Sequence, residues 1–285
     1  MKTNALVPLN ALAAAKSRLA DVLTDSDREA LALWMAGRVL DALLTSRRVA
    51  AIAVVSPDPV VLAWASRRGA VPLRQRRRSE LQAYDDEPLT TLPSSAPNGT
   101  SVLTGRGPAL QSREGQRHEG QRHEAQSLGP NERDEALPPA DERLNEGLEL
   151  GRRWALAAGA DALLVALGDL PCLTACEVDS MIALADHPAG EAAVILAPDR
   201  RERGTNALLL RPPWLVRFTF GAGSLTRHRA LARYTAVEPV LFRAPGAAFD
   251  VDTPADLGEL AARGLWSPGA GPQALASTAG KEGLL

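Results

Sequence analysis

The sequence predicts an α/β fold, a mostly parallel sheet with helices on both faces. Three observations predict it. Short apolar runs, among them "NALVP", "VAAIAVVS", "ADALLVAL" and "AAVILAP", alternate with longer stretches of helical periodicity. These runs are nearly continuous in apolar residues, as strands covered on both faces are. Several stop abruptly at Pro, Gly or Asp. The 285 residues suffice for one large α/β domain or two small ones.

In chain order, residues 4–8 form a first strand stopped by Pro8. Residues 23–46 follow as an amphipathic helix, with Ser26 and Glu29 at capping-box spacing and Leu31, Met35, Val39 and Leu43 on one face. Residues 49–59 predict a second strand, 60–70 a helix closed by Gly69, and 70–73 a short third strand. Order returns with a helix over 144–159 and the most apolar strand, 160–167. A helix over 174–187 carries a second capping box, Thr174 with Glu177. Strands are predicted at 192–198, 205–212, 237–245 and 248–254, and a loop leading into a helix at 217–234. Pro254 suits the first position of a last helix, "ADLGELAAR".

Between these halves the composition changes. Residues 74–142 hold a charge run, "RQRRR", a turn-rich "PSSAPNG" and a tandem "GQRHEGQRHE". Such a segment cannot bury enough apolar surface to offset chain entropy, and a disordered insertion is expected. His118 and His123 in the repeat are two histidines without a thiol or carboxylate cage, a weak metal tract. One domain is therefore expected over 1–73 and 143–263, with a flexible tail over 264–285.

The net charge of −2 gives no basic field for nucleic acid or membrane, and 4% aromatics leave little for base stacking. No apolar run is long enough to span a bilayer, and the start lacks a signal-peptide layout, so the expected place is the cytoplasm. Cys172 and Cys176 fit no zinc pattern and read as half-buried thiols.

Ligands of parallel sheets lie beyond the carboxyl ends of the strands. In "ALLVALGDLPCLT" Asp169 falls just past such an end. In "FDVDTP" Asp250 and Asp252 alternate onto one side of an extended segment. Three strand-end carboxylates suit Mg²⁺, although each aspartate could instead cap a turn or helix. "PLNALAAAKSRLADVL" follows the first strand and lacks the Walker A pattern. Its Lys16, Ser17 and Arg18 either neutralise a triphosphate or form a solvated basic turn. Thr205 in "RGTNALLL" and Gly221, Gly223 and Ser224 in "FGAGSLTRH" could receive a phosphate or carboxylate between them; a flexible loop with a serine N-cap is the plainer reading. His228 and His187 read as surface or helix-capping residues. No Ser-His-Asp, Cys-His or HExxH pattern supplies a base. A phosphate nucleophile would need none, since it is already anionic near neutral pH.

Taken in order, "LVPLNALAAAKSRLADVL", "VVSPD", "LNEGLELG", "GDLPCLT", "APDRRERGTNALLL", "FGAGSLTRH" and "DVDTPADL" resemble the 2-phospholactate and phosphoenolpyruvate guanylyltransferase family of coenzyme F-420 biosynthesis. The resemblance covers about 1–73 and 143–262. It implies a single-domain nucleotidyltransferase fold, Rossmann-like, with a mostly parallel mixed sheet. It implies Mg²⁺-dependent transfer of GMP from GTP to the phosphate of 2-phospho-L-lactate, phosphoenolpyruvate or 3-phosphoglycerate, with hand-off to a downstream transferase. Asp169, Asp250 and Asp252 would be metal ligands, and Lys16, Arg18 and Asp169 would carry catalysis. Thr205, Gly221 and Ser224 would clamp the acid. Leu6, Pro8, Lys16, Ser17, Arg18, Ser56, Asp58 and Asn145 would line the nucleotide pocket. The chain departs from the family at Asn10, where many members carry lysine, and in its long insertion. A molybdopterin- or sugar-phosphate-type nucleotidyltransferase and a non-catalytic nucleotide-binding protein are the alternatives.

Overall fold

A computed structural model describes residues 1–75, 139–186 and 191–267. Seven strands form one sheet: β1 (Thr3–Pro8), β2 (Val49–Ser56), β3 (Val71–Arg74), β4 (Ala162–Ala166), β5 (Ala193–Pro198), β6 (Thr205–Arg211) and β7 (Val240–Leu241). Their spatial order is β3-β2-β1-β4-β6-β5-β7. Every described strand but β6 runs the same way; β6 is antiparallel to both β4 and β5. The sheet is therefore mixed but mostly parallel, as the sequence predicts. The helices are α1 (Asp25–Thr45), α2 (Pro59–Arg67), α3 (Ala140–Ala157), α4 (Ala175–Leu184), α5 (Ser224–Tyr234), the short α6 (Pro245–Ala248) and α7 (Pro254–Ala262). No described helix is long and apolar enough to cross a membrane.

Alternation along the central strands builds two cores. On one face Ala5, Val7, Leu164 and Ala166 pack with Val39, Leu43, Val61 and Ile182. On the other, Leu6, Leu163 and Val165 pack with Leu148, Phe220 and Leu225. All five residues of β4 are buried, and each large apolar side chain so buried contributes roughly 1.5–3 kcal/mol. Helix α3 lies close on the sheet because Gly151 faces Leu6; a Cβ there would stand 2.1 Å from a Leu6 methyl. A third, smaller core joins Leu19, Leu31 and Met35 to Phe249, Val251, Leu257 and Trp266.

Some sequence expectations are corrected. Helix α1 is capped by Thr24, which accepts from Asp27 N–H at 3.2 Å, and not by Ser26. Thr24 and Asp27 offer the same spacing one half-turn earlier, and the earlier start lets Arg28 reach the Ala15 carbonyl at 3.0 Å. The strand expected at 237–245 shrinks to Val240–Leu241, between Pro239 and Pro245. The one expected at 248–254 pairs with no described strand; it is the end of α6 and an extended link into α7. Ordered structure also reaches into both ends of 74–142, since Arg74 closes β3 and α3 begins at Ala140. Residues 76–138 of the expected insertion with its two histidines, His187, and the expected tail beyond 267 lie outside the described residues. Both cysteines are free, Cys176 exposed and Cys172 half-buried.

The Thr174–Glu177 capping box forms as predicted and has a second task. Glu177 Oε1 accepts the Gly246 N–H at 2.8 Å, which anchors α6 beside the chain that follows β4. A Cβ on Gly246 would stand 2.1 Å from the Cys172 carbonyl oxygen. Gly246→Ala should therefore cost about 1–3 kcal/mol in urea unfolding. Gly258→Ala, at an exposed position of α7 with nothing within 4 Å, should be neutral or stabilising.

Candidate active site

The site forms where the parallel strands end and the reversed strand begins. Because β6 is antiparallel, Thr205 and Asn206 at its start stand beside the ends of β4 and β5. The Leu167 N–H donates to the Asn206 carbonyl at 3.0 Å, fixing that junction. Gly168 allows the loops after β1 and β4 to touch, since a Cβ there would meet Leu9 at 2.2 Å.

The loop after β1 folds into two single-turn 3₁₀ helices, Leu12–Ala14 and Ser17–Leu19. Lys16 sits between them in the left-handed region, at φ 49° and ψ 42°. Lysine rarely adopts that conformation, and surrounding contacts must enforce it. Leu19, fully buried against Val251 and Met35, and the Arg28 bond to Ala15 hold the loop on either side.

This conformation aims the Lys16 ammonium at two acidic segments. Its Nζ lies 2.8 Å from Asp169 Oδ2 and 2.8 Å from Asp252 Oδ1. Arg18 reaches Asp252 Oδ2 at 3.1 Å from a mostly exposed position. Val251 is fully buried, so its neighbours Asp250 and Asp252 both turn away from the third core. Asp250 Oδ1 accepts from Asn206 Nδ2 at 3.4 Å, and Asn206 also donates to the Ala247 carbonyl. Burial would lower the Lys16 pKa, but Asp169 and Asp252 together outweigh it and hold the ammonium charged. Burial, and then the Asp169 charge, raises the Asp250 pKa.

The acidic residues are oxygen-only donors of the kind that hold Mg²⁺. Asp169 Oδ1 is buried without a hydrogen-bond partner, an open acceptor in this cluster. Among the described residues no group of three His, Cys, Asp or Glu side chains is arranged to hold a metal ion. Lys16 occupies the space between two of the carboxylates. The residues fit a cation that arrives with phosphate ligands of its own better than one held by protein alone.

Beside this cluster lies the "FGAGS" loop. Thr205 N–H donates to Ser224 Oγ at 2.9 Å, which ties the start of β6 to the start of α5. The helix cap is Gly223, not Ser224. Asn145, from α3, accepts the Phe220 N–H at 2.9 Å and donates to the Phe220 and Asp141 carbonyls. Arg227 covers the Thr219, Phe220 and Ala222 carbonyls. Gly221 is required by its φ of 113° and by Asp141, whose Oδ2 would lie 2.0 Å from a Cβ. The Ala222 and Gly223 N–H groups, on exposed residues, have no hydrogen-bond partner among the described residues.

The other residues expected at the nucleotide pocket are placed as follows. Leu6 is fully buried under Gly151, in the middle of a strand paired on both sides. Pro8 ends that strand, half-buried, and Ser17 is exposed. Asp58 caps α2 through the Val60 N–H and accepts the Leu12 N–H at 3.0 Å, while Ser56 accepts the Asp58 N–H. This pair therefore supports the Lys16 loop from below. Sequence reasoning missed Asn206 as the partner of Asp250, and it missed His228. That histidine is neither a surface nor a capping residue. It is fully buried, within hydrogen-bond reach of both Thr205 and the Thr219 N–H. Its position four residues after Ser224, on the same helix face, was the available signal.

The family model for CofC-like guanylyl transferases matches residues 3–84 and 134–266. The chain belongs to this family. It is accordingly a nucleotidyltransferase. A phosphoenolpyruvate guanylyltransferase from Sphaerobacter thermophilus is 39% identical over 261 residues, covering 92% of this chain and 93% of that one. A phosphoenolpyruvate guanylyltransferase from Rubrobacter xylanophilus is 35% identical over 266 residues, 93% and 96% of the two chains. A 3-phospho-D-glycerate guanylyltransferase from Phenylobacterium zucineum is 37% identical over 123 residues, 40% of this chain and 53% of that one. Among solved structures, a nucleotidyl transferase from Methanothermobacter superposes with a TM-score of 0.50 at 13% identity, over 92% of this chain and 97% of the other. That likeness shows the single-domain nucleotidyltransferase fold.

Two outcomes follow from the geometry. Lys16→Met should lower turnover by about a hundredfold or more, because a buried charge facing the cluster is lost. Arg18→Ala, exposed, should cost about tenfold or less. Steady-state rates of the two variants check this ordering. The second outcome concerns pH. Burial, with a smaller contribution from the Arg227 charge, pushes the His228 pKa down to about 4 from 6.5. The unfolded chain then binds a proton between those values that the folded chain does not. The stability due to the neutral ring is complete above pH 6.5 and falls as pH drops toward 4, by roughly 3 kcal/mol in all. Urea unfolding across that range should show this loss in the wild type and a shallower slope in His228→Asn.

Proposed function

We propose that the chain transfers GMP from GTP to the phosphate of a small phospho-acid, releasing pyrophosphate. Phosphoenolpyruvate is the favoured acid, because the full-length relatives described above carry that name. The observation that carries the reading is the meeting of Lys16, Asp169 and Asp252, from three distant segments, next to the "FGAGS" loop. A cationic and acidic cluster beside an anion-receiving loop suits a reaction between two phosphates.

Lys16 and Arg18 neutralise the triphosphate and hold the departing pyrophosphate. The Ala222 and Gly223 N–H groups, with the Thr205 and Ser224 hydroxyls, orient the acid so that its phosphate faces the α-phosphorus. An oxygen of that phosphate forms the new P–O bond as the bond from the α-phosphorus to the bridging oxygen of pyrophosphate breaks. The nucleophile is already anionic, so no side chain removes a proton. Asp169, Asp250 and Asp252 would hold Mg²⁺. That ion supplies charge neutralisation at the phosphates. The product is a phosphoanhydride of GMP and the acid, a reactive species suited to prompt use by a downstream transferase. We assign the reaction to coenzyme F-420 biosynthesis and the enzyme to the cytoplasm, on the family resemblance.

The test is pyrophosphate release from GTP and Mg²⁺ with phosphoenolpyruvate, 2-phospho-L-lactate or 3-phospho-D-glycerate, with and without the downstream transferase. Release with one of them, abolished by chelator and by Asp169→Asn, is expected. No release with any acid contradicts the reading, and release with a sugar phosphate in their place favours a sugar-nucleotide enzyme.

A further inference from the structure

We propose that His228 is a positioning residue: it fixes the direction of the Thr205 hydroxyl, so that this group can only donate a hydrogen bond to the bound acid. The proposal rests on the reading of the "FGAGS" loop as the acceptor clamp.

A backbone amide fixes the ring's tautomer, because its role cannot change. The Thr219 N–H can only donate, and it points at His228 Nε2 from 3.1 Å. Nε2 must therefore accept and carry no hydrogen. A neutral imidazole then carries its hydrogen on Nδ1, and Nδ1 lies 3.0 Å from Thr205 Oγ1. The Thr205 oxygen accepts that hydrogen. Its own proton cannot return to Nδ1 and must point elsewhere. The opposite tautomer would set two N–H groups against each other at Thr219.

Ser224 repeats the pattern. Its Oγ accepts the Thr205 N–H at 2.9 Å, which leaves its proton to be donated. Both hydroxyls are almost fully buried, and neither proton has an acceptor among the described residues. Two buried donors whose acceptor sides face protein N–H groups select a ligand that brings oxygen acceptors alone. A carboxylate or a phosphate does so, whereas a neutral hydroxyl brings a donor too.

The ring cannot easily turn to escape this role. Phe220 packs edge-on against it, with centroids 4.9 Å apart and planes at 70°. The loop that supplies Thr219 is itself fixed by Asn145 and Arg227. His228 is thus reached by protein on both nitrogens and does not touch the reacting atoms. It acts through Thr205.

Two measurements test this in the full-length chain. The first is a ¹⁵N spectrum of the imidazoles near neutral pH, with the His228 signals identified by their absence in His228→Phe. A protonated Nδ1 with a bare Nε2 is expected; a protonated Nε2 overturns the proposal. This result does not depend on any activity. The second is kinetic. His228→Phe, which keeps the packing against Phe220, should raise the KM for the acid by about tenfold or more, as for one lost hydrogen bond to a charged group. The KM for GTP should stay near wild type, and the melting temperature should fall by a few degrees because the Thr219 N–H loses its acceptor. His228→Asn, whose amide reaches toward Thr205, should recover most of the acid KM. The double variant Thr205→Val/His228→Phe should be no worse than Thr205→Val alone. Equal changes in both KM values, or additive losses, would mean that the ring only holds the loop in place, and the proposal would fail. If the wild type used none of the acids, the acceptor reading would fail while the tautomer would still be decided by the spectrum.

Discussion

The site depends on one ammonium group between two carboxylates. Asp169 follows β4 and Asp252 precedes α7, more than eighty residues away in sequence, and Lys16 touches both. Without that cation the acidic side chains would face each other in a half-buried space, where like charges repel with little screening. The contact is built from packing. Leu19 on the lysine loop and Val251 on the aspartate segment lie in one small core, which presses the two segments together and sets their spacing. The left-handed backbone at Lys16 is the local strain that this packing sustains. Removing one partner of such a pair leaves an uncompensated charge, so the three residues form one unit and their effects should not add.

The reversed strand β6 couples this unit to the loop beside it. Neighbouring residues on a strand point to opposite faces. Thr205 turns to Ser224 and His228, while Asn206 turns to Ala247 and Asp250. A single dipeptide therefore braces the "FGAGS" loop and the acidic segment together. An all-parallel sheet would end at this edge and begin its next strand at the far side. The antiparallel strand brings a strand beginning, with its ordered backbone, to where the other strands end. It also explains why "GTN" matters at that position, since Gly204 lets the turn close on Asp199 through its N–H at 2.9 Å.

Much of this was readable in the residues, and for physical reasons. The five apolar residues before Gly168 and Asp169 announce a strand end with a carboxylate beyond it, and that is where Asp169 stands. The alternation in "FDVDTP" gives the right side for both aspartates even though the segment pairs with no strand, because an extended chain alternates whether or not it is hydrogen-bonded. What the residues did not show is long-range. Asp58 and Ser56, expected at the pocket, also support the lysine loop, a role visible only once β1 and β2 lie side by side. Asn145, expected at the nucleotide pocket, also ties α3 to the Phe220 backbone, a bond that sequence does not reveal. A lone histidine on a polar helix looks exposed; its spacing from Ser224 marks its face, but only the fold shows that Thr205 and the Thr219–Phe220 loop enclose it. Position 24 beat position 26 as helix cap because Arg28 needed to reach back across the loop.

The most direct test of the account is calorimetric titration with GTP, with and without Mg²⁺, of the wild type and of Asp169→Asn. If Asp169 joins Lys16 and Asp252 in one phosphate- and metal-receiving cluster, Mg²⁺ should tighten GTP binding in the wild type by about tenfold or more and change little in the variant. Equal tightening in both proteins would place the metal elsewhere and contradict the account.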